Sequence, residues 1–114
     1  MSAGILEIIL EQGATFTRTI VYKDENGAPI DLTSVTSITG QIRPSYSSST
    51  SIAFVLAIVG APTNGEISWS MSAVNSALLV PNSPQVYDIE ILYNSGVVDR
   101  ILQGNVCVHP QVTR

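Results

Sequence analysis

The stretch Val86-Tyr87-Asp88-Ile89-Glu90-Ile91-Leu92-Tyr93 decides the fold. Tyr87, Ile89, Ile91 and Tyr93 fall on one side, and Asp88 and Glu90 fall on the other. A period of two marks a strand with one face on a core and one toward solvent. Asn94-Ser95-Gly96 follows as a short hairpin connection. Residues 97–108 then return as a long final strand, with Gly104 expected as a bulge or a point of close approach.

The same alternation recurs on the N-terminal side. In residues 66–71, Ile67, Trp69 and Met71 share a face. In residues 14–23, Phe16, Arg18, Ile20 and Tyr22 share one, with threonines mostly opposite. Residues 4–10 and 36–43 read as further strands, the latter ending at Arg43-Pro44. Residues 52–59, Ile-Ala-Phe-Val-Leu-Ala-Ile-Val, are continuously apolar and predict a strand buried on both sides. Asp24-Glu25-Asn26-Gly27 marks a turn, because Asn-Gly tolerates positive φ. Ala28 to Thr33 then read as an extended return. The period changes once, where Ser72 caps a predicted helix over 72–79 that Pro81 terminates.

Composition agrees with these strands. Ile and Val number 25 against 8 Leu, and Thr adds 9 more β-branched residues. Such side chains suit a pleated sheet better than a helix. The 114 residues predict one domain, 1–114, large enough to bury a core without metals or disulfides. The expected fold class is all-β: an immunoglobulin-like antiparallel β-sandwich of seven or eight strands with one short helix.

Charge narrows the partners. Five basic residues (Arg18, Lys23, Arg43, Arg100 and Arg114) oppose nine acids, for a net charge of −4. They are scattered rather than gathered into a patch, so no nucleic acid and no membrane partner is expected. No stretch reaches the roughly 18 apolar residues of a membrane span. The N-terminal run lacks the basic region of a targeting segment, and Glu7 interrupts it. Assembly in a cytoplasm is the expectation.

Catalytic chemistry finds little to work with. His109 is the single histidine, beside Pro110, a poor place for an oriented base. Cys107 and His109 share a strand face, but two ligands do not make a metal site. Cys107 is expected as a small core residue of the strand Val106-Cys107-Val108. Asp88 and Glu90 share a face, and hairpin pairing is expected to bring Asp99 near them, with Arg18 or Lys23 as counter-charge. A solvated sheet face is the plainer reading of these acids. No catalytic, metal-binding or cofactor-binding residue is assigned, and no cofactor is expected.

Tyr46 stands apart from the other aromatics. It lies in Ser45 to Ser51, a serine-rich loop with no core pattern. A tyrosine among adaptable serines suits a contact loop, and Arg43 beside it is a candidate for a bidentate link to a carboxylate. The apolar N-terminal residues Ile5, Leu6, Ile8, Ile9 and Leu10 are the other candidate protein–protein contact, since a small domain cannot bury all of them.

Several segments carry a resemblance in their order and spacing. They are Glu11 to Phe16, Tyr22 to Thr33, Gln41 to Tyr46, Gly65 to Ser68, Tyr87 to Ile91, and Arg100 to Arg114. Together they resemble a family of small immunoglobulin-like β-sandwich virion proteins of tailed bacteriophages. It includes the N-terminal domains of baseplate upper proteins and tail-fibre adaptors. The resemblance covers nearly the whole chain. It implies a non-enzymatic structural protein of the tail, baseplate or fibre attachment. It also implies other virion proteins as partners, and a homo-oligomer or multiple copies in a symmetric particle. In longer members the segment like Pro110 to Arg114 leads into a fibre, so the resemblance implies an attachment module without a receptor-binding tip. A capsid decoration protein would use the same fold on another surface. A carbohydrate-binding module or hydrolase would instead need exposed aromatics and a carboxylate pair in a groove, for which Tyr46, Asp88, Glu90 and Asp99 are available.

Overall fold

A computed structural model describes residues 4–81 and 84–113. Two sheets pack face to face as an all-β sandwich. The larger contains β1 (Gly4–Ile5), β2 (Ile8–Glu11), β4 (Val35–Arg43), β5 (Ile52–Ala53), β8 (Gln85–Tyr93) and β9 (Val98–His109). Its order is β1-β9-β8-β4-β5, and β2 joins β9 on the same edge as β1. The smaller sheet has the order β3-β7-β6, from Phe16–Val21, Glu66–Met71 and Val55–Ile58.

The alternating segments behave as their period dictates. Tyr87, Ile89 and Ile91 are buried, as are Ile67, Trp69 and Met71 from the facing sheet. Trp69 centres the core. Its ring meets Phe16 and Phe54 edge-on at 5.3 Å each and lies tilted against Tyr87 at 5.5 Å. These separations fall in the favourable range for aromatic pairs. The Trp69 indole N–H has no hydrogen-bond acceptor among the described residues.

The sandwich departs from a purely antiparallel arrangement at one edge. β1 and β2 run parallel to β9, pairing Gly4 with Leu102 and Ile8 with Val106. First and last strands are joined through the whole domain rather than a hairpin, so nothing forces them antiparallel. The expected single strand over 4–10 is also broken at Leu6 and Glu7. Gly104 is the reason. A Cβ there would lie 2.2 Å from the Leu6 carbonyl oxygen. The Leu6 backbone occupies the space a side chain would take, which is the close approach foreseen at this glycine.

Residues 52–59 do not form the doubly buried strand their composition predicts. At Phe54 the chain leaves the larger sheet, where β5 pairs with β4, and enters the smaller, where β6 pairs with β7. Both pieces are edge strands. Phe54 is buried, whereas Val55 is 61% exposed. An edge strand has one core-facing side, and an apolar run without period cannot reveal that. The two breaks turn seven strand-like regions into nine strand segments among the described residues.

The helix α1 covers only Ala73–Ser76. Ser72 caps it as expected, its hydroxyl accepting from the Asn75 N–H at 3.2 Å. Beyond Ser76 the chain tightens into i→i−3 hydrogen bonds that carry Leu79 into the core. A 3₁₀ turn at Pro62–Asn64 connects β6 to β7. At the Asn26-Gly27 turn, Gly27 takes φ +82°, and the Asp24 carboxylate accepts from the N–H groups of Asn26 and Ala28.

Candidate functional site

Three strands of the larger sheet present their outer side chains as a regular array. One row is Thr39, Glu90 and Arg100; the next is Gln41, Asp88 and Gln103; the third is Arg43, Val86 and Asn105. Strict alternation along β9 would separate Arg100 from Gln103. A bulge removes that constraint. Leu102 opposes Ile89 while Arg100 opposes Glu90, so Ile101 is the extra residue. Ile101 and Leu102 both pack on the core, and Arg100 and Gln103 both face out.

Arg100 ties the acids together. Its Nε lies 3.3 Å from Asp88 Oδ2, and its Nη2 lies 3.4 Å from Glu90 Oε2. Loss of water around Asp88, and then the charge of Glu90, raise its carboxyl above the ordinary value; Arg100 and Arg43 only partly oppose this. The counter-charge is therefore Arg100 and neither Arg18 nor Lys23. Arg18 instead sits over the Phe16 ring, 5.5 Å from its centroid. Asp99 does not join these acids. It pairs with Ile91 and lies beside Tyr22 and Tyr93, where its charge raises both phenols. The hairpin register is the cause: it sets Asp99 opposite the inward-facing Ile91 and Arg100 opposite the outward-facing Glu90.

Arg43 and Tyr46 belong to the same face. Arg43 Nη2 donates to Gln41 Oε1 at 2.9 Å, and its Nη1 donates to the Ser48 carbonyl at 2.8 Å. The guanidinium thus holds the serine-rich loop against the sheet rather than waiting free for a partner carboxylate. Tyr46 is 83% exposed at the loop's tip. Loop and sheet enclose an open cavity of about 230 Å³, lined by Gln41, Arg43, Tyr46, Asp88, Arg100 and Gln103, among others. Sequence reading found Arg43, Tyr46 and Asp88 separately. It missed Gln41, Arg100 and Gln103, whose convergence depends on cross-strand register and the bulge.

The N-terminal candidates split by face. Ile8 and Leu10 are fully buried in the chain's own core and are not available to a partner. Their parity on β2 sends them inward. Ile5, Leu6 and Ile9 are exposed, Ile5 to 82%. Ile9 pairs with Cys107, which is exposed on the outer face of β9 and not in the core. Val106 and Val108 take the inward positions, so Cys107 falls between them facing out. His109 is exposed at the end of the same strand, paired with Glu11. Among the described residues, no three His, Cys, Asp or Glu side chains gather closely enough to hold a metal ion. No helix among them is long and apolar enough to cross a membrane.

No family model and no curated protein matches the chain. Solved structures do. An SrpA adhesin variant from Streptococcus sanguinis aligns over 91% of this chain with a TM-score of 0.52 and 13% identity. An internalin-like protein from Listeria monocytogenes aligns over 92% of this chain and 27% of its own, with a TM-score of 0.37 and 14% identity. The likeness to the adhesin is one of fold alone. The chain spans about half the length (55%) of the adhesin it matches.

Proposed function

We propose that this chain is a non-enzymatic structural protein of a tailed-bacteriophage virion, a tail, baseplate or fibre-attachment component with an immunoglobulin-like sandwich. The observation that carries the proposal is the ordered resemblance of six segments, from Glu11 to Arg114, to that family. The strand order supports the fold assignment. In favour of it, β3-β7-β6 stack on β9-β8-β4 as strands B-E-D stack on G-F-C in an immunoglobulin-type sandwich, while the first strand lies beside the last.

The N-terminal edge supports an assembly role. Among the described residues the outer edge of β1 and β2 has no neighbouring strand, and Ile5, Leu6 and Ile9 are exposed beside it. An open edge with apolar side chains invites pairing with another chain. In a particle built around symmetry axes, a neighbouring subunit covers such an edge.

The test is particle incorporation of an Ile5→Asp/Ile9→Asp double variant. Both side chains are exposed, so the isolated variant is expected to melt within a few degrees of the parent. Incorporation is expected to fall severalfold. Normal incorporation of a folded double variant would overturn this edge as the docking surface.

A further inference from the structure

We propose that the cavity on the outer face of β4, β8 and β9 is a binding subsite for a single ring of a neutral sugar.

The chemistry of the lining selects this ligand class. Gln41 and Gln103 each carry an amide with both donors and acceptors, which suits ligands rich in hydroxyls. Arg100 and Asp88 stand side by side at 3.3 Å, offering a donor and an acceptor to adjacent hydroxyl groups. Their charges largely cancel within the pair. Arg43 is committed to Gln41 and Ser48. At the cavity and its rim two cations, Arg43 and Arg100, face two acids, Asp88 and Glu90, so no net charge selects an anionic ligand, and among the described residues no three acids gather for a metal ion. A neutral polyol matches this balance.

Shape gives the same answer. The volume of about 230 Å³ lies below the roughly 300–1,000 Å³ of sites for drug-sized molecules, so it takes one ring and not a chain. Tyr46 stands over one side with its ring exposed. A tyrosine ring offers a flat apolar face to the C–H side of a pyranose, leaving the hydroxyls to the polar floor. The floor is rigid because it is built on three paired strands. The Arg43–Ser48 hydrogen bond fixes the loop that carries Tyr46. This site shares none of the exposed apolar residues of the N-terminal edge, so it stands or falls apart from the assembly role.

The experiment is a backbone-amide NMR titration of the full chain with glucose, galactose, mannose, N-acetylglucosamine and N-acetylgalactosamine, and with inorganic phosphate as the charged control. At least one sugar is expected to give saturable shifts confined to residues 41–48, 86–88 and 100–103. Tyr46→Ala is expected to leave the melting temperature unchanged and to weaken that sugar about fivefold or more. No saturable shift from any of the five sugars would overturn the proposal. So would stronger saturable shifts from phosphate at the same amides, which would make the cavity an anion site. Equal sugar affinity in Tyr46→Ala would also overturn it.

Discussion

The Tyr87 hydroxyl donates a 2.7 Å hydrogen bond to the main-chain carbonyl of Leu6, across 81 positions of sequence. Tyr87 lies directly opposite Gly104 on the neighbouring strand, and the Leu6 carbonyl fills the space that glycine leaves. Three features thus depend on one another: the break between β1 and β2, the glycine in β9, and the burial of a phenol in the core. The N-terminal strand is docked by this contact, which fixes which of its apolar residues face in and which face out.

Replacing Tyr87 with Phe removes the donor and leaves a part-buried carbonyl unpaired. The expected loss is about 1–2 kcal/mol, read as a lower urea midpoint with unchanged slope. Gly104→Ala is expected to cost more, about 2–3 kcal/mol, because the atom it meets is backbone and cannot swing aside. If Gly104→Ala is as stable as the parent, the Leu6 carbonyl does not occupy that space.

Alkali should unfold the chain through the same residue. Burial pushes the Tyr87 phenol from 10.0 up to about 12. A raised phenol means the fold prefers the protonated form. Its contribution is complete below pH 10 and is lost as pH rises toward 12. Tyr22 and Tyr93 are raised in the same sense, burial being the leading cause in each. Stability measured against pH is expected to fall across this window, and Tyr87→Phe is expected to fall less steeply. Parallel curves for parent and variant would contradict the assignment.

Asp88 carries the same sign into the acid range. Its carboxyl is raised above 3.8 by burial and by Glu90, more than Arg100 and Arg43 lower it. The fold therefore holds that proton more tightly than the unfolded chain does. The contribution is present below 3.8 and is lost as pH rises through the higher folded value. Asp88→Asn should gain stability relative to the parent as pH rises from acid to neutral. Because the Arg100 pair is half exposed, its removal costs little, and the net change at neutral pH is expected within about 0.5 kcal/mol. A loss well beyond that would mean the ion pair outweighs the desolvation of Asp88.

Gln12 clamps three parts of the chain. Its Nε2 donates to the carbonyls of Leu79 and Ala77 at 3.2 and 3.4 Å, and its Oε1 accepts from the Gln111 N–H at 3.1 Å. Gln12→Ala is expected to cost about 1 kcal/mol. Faster amide hydrogen exchange should appear at Gln111 and at Leu78 and Leu79, with little change in β8. Uniform loss of protection across the chain would argue against a local clamp.

How much was legible in sequence follows from these contacts. Period two placed Tyr87, Ile89 and Ile91 inside and Asp88 and Glu90 outside, because alternation is a local property of a strand. Ser72 and the Asn26-Gly27 turn were legible for the same reason, each being a bond within a few residues. The facing of Asp99 was misread because the exact hairpin register, which sets it opposite Ile91 and not Glu90, is not fixed by the pattern of β9 alone. Cys107 was placed inside by residue type, when the parity of Val106 and Val108 already sent it outward. The Phe54 crossover left no periodic trace, since both faces of residues 52–59 are apolar. The cavity joins side chains from β4, β8 and β9 and the serine-rich loop, and only register brings them together.

The central claim is the proposed membership in a virion, and the most direct measurement is the copy number of this chain in purified tailed-phage particles produced by cells that carry its gene. Quantitative mass spectrometry against the major tail and capsid proteins supplies it. The account predicts that the chain is retained through purification, at a whole-number multiple of the tail's rotational symmetry. Absence of the chain from intact, infectious particles would contradict the account.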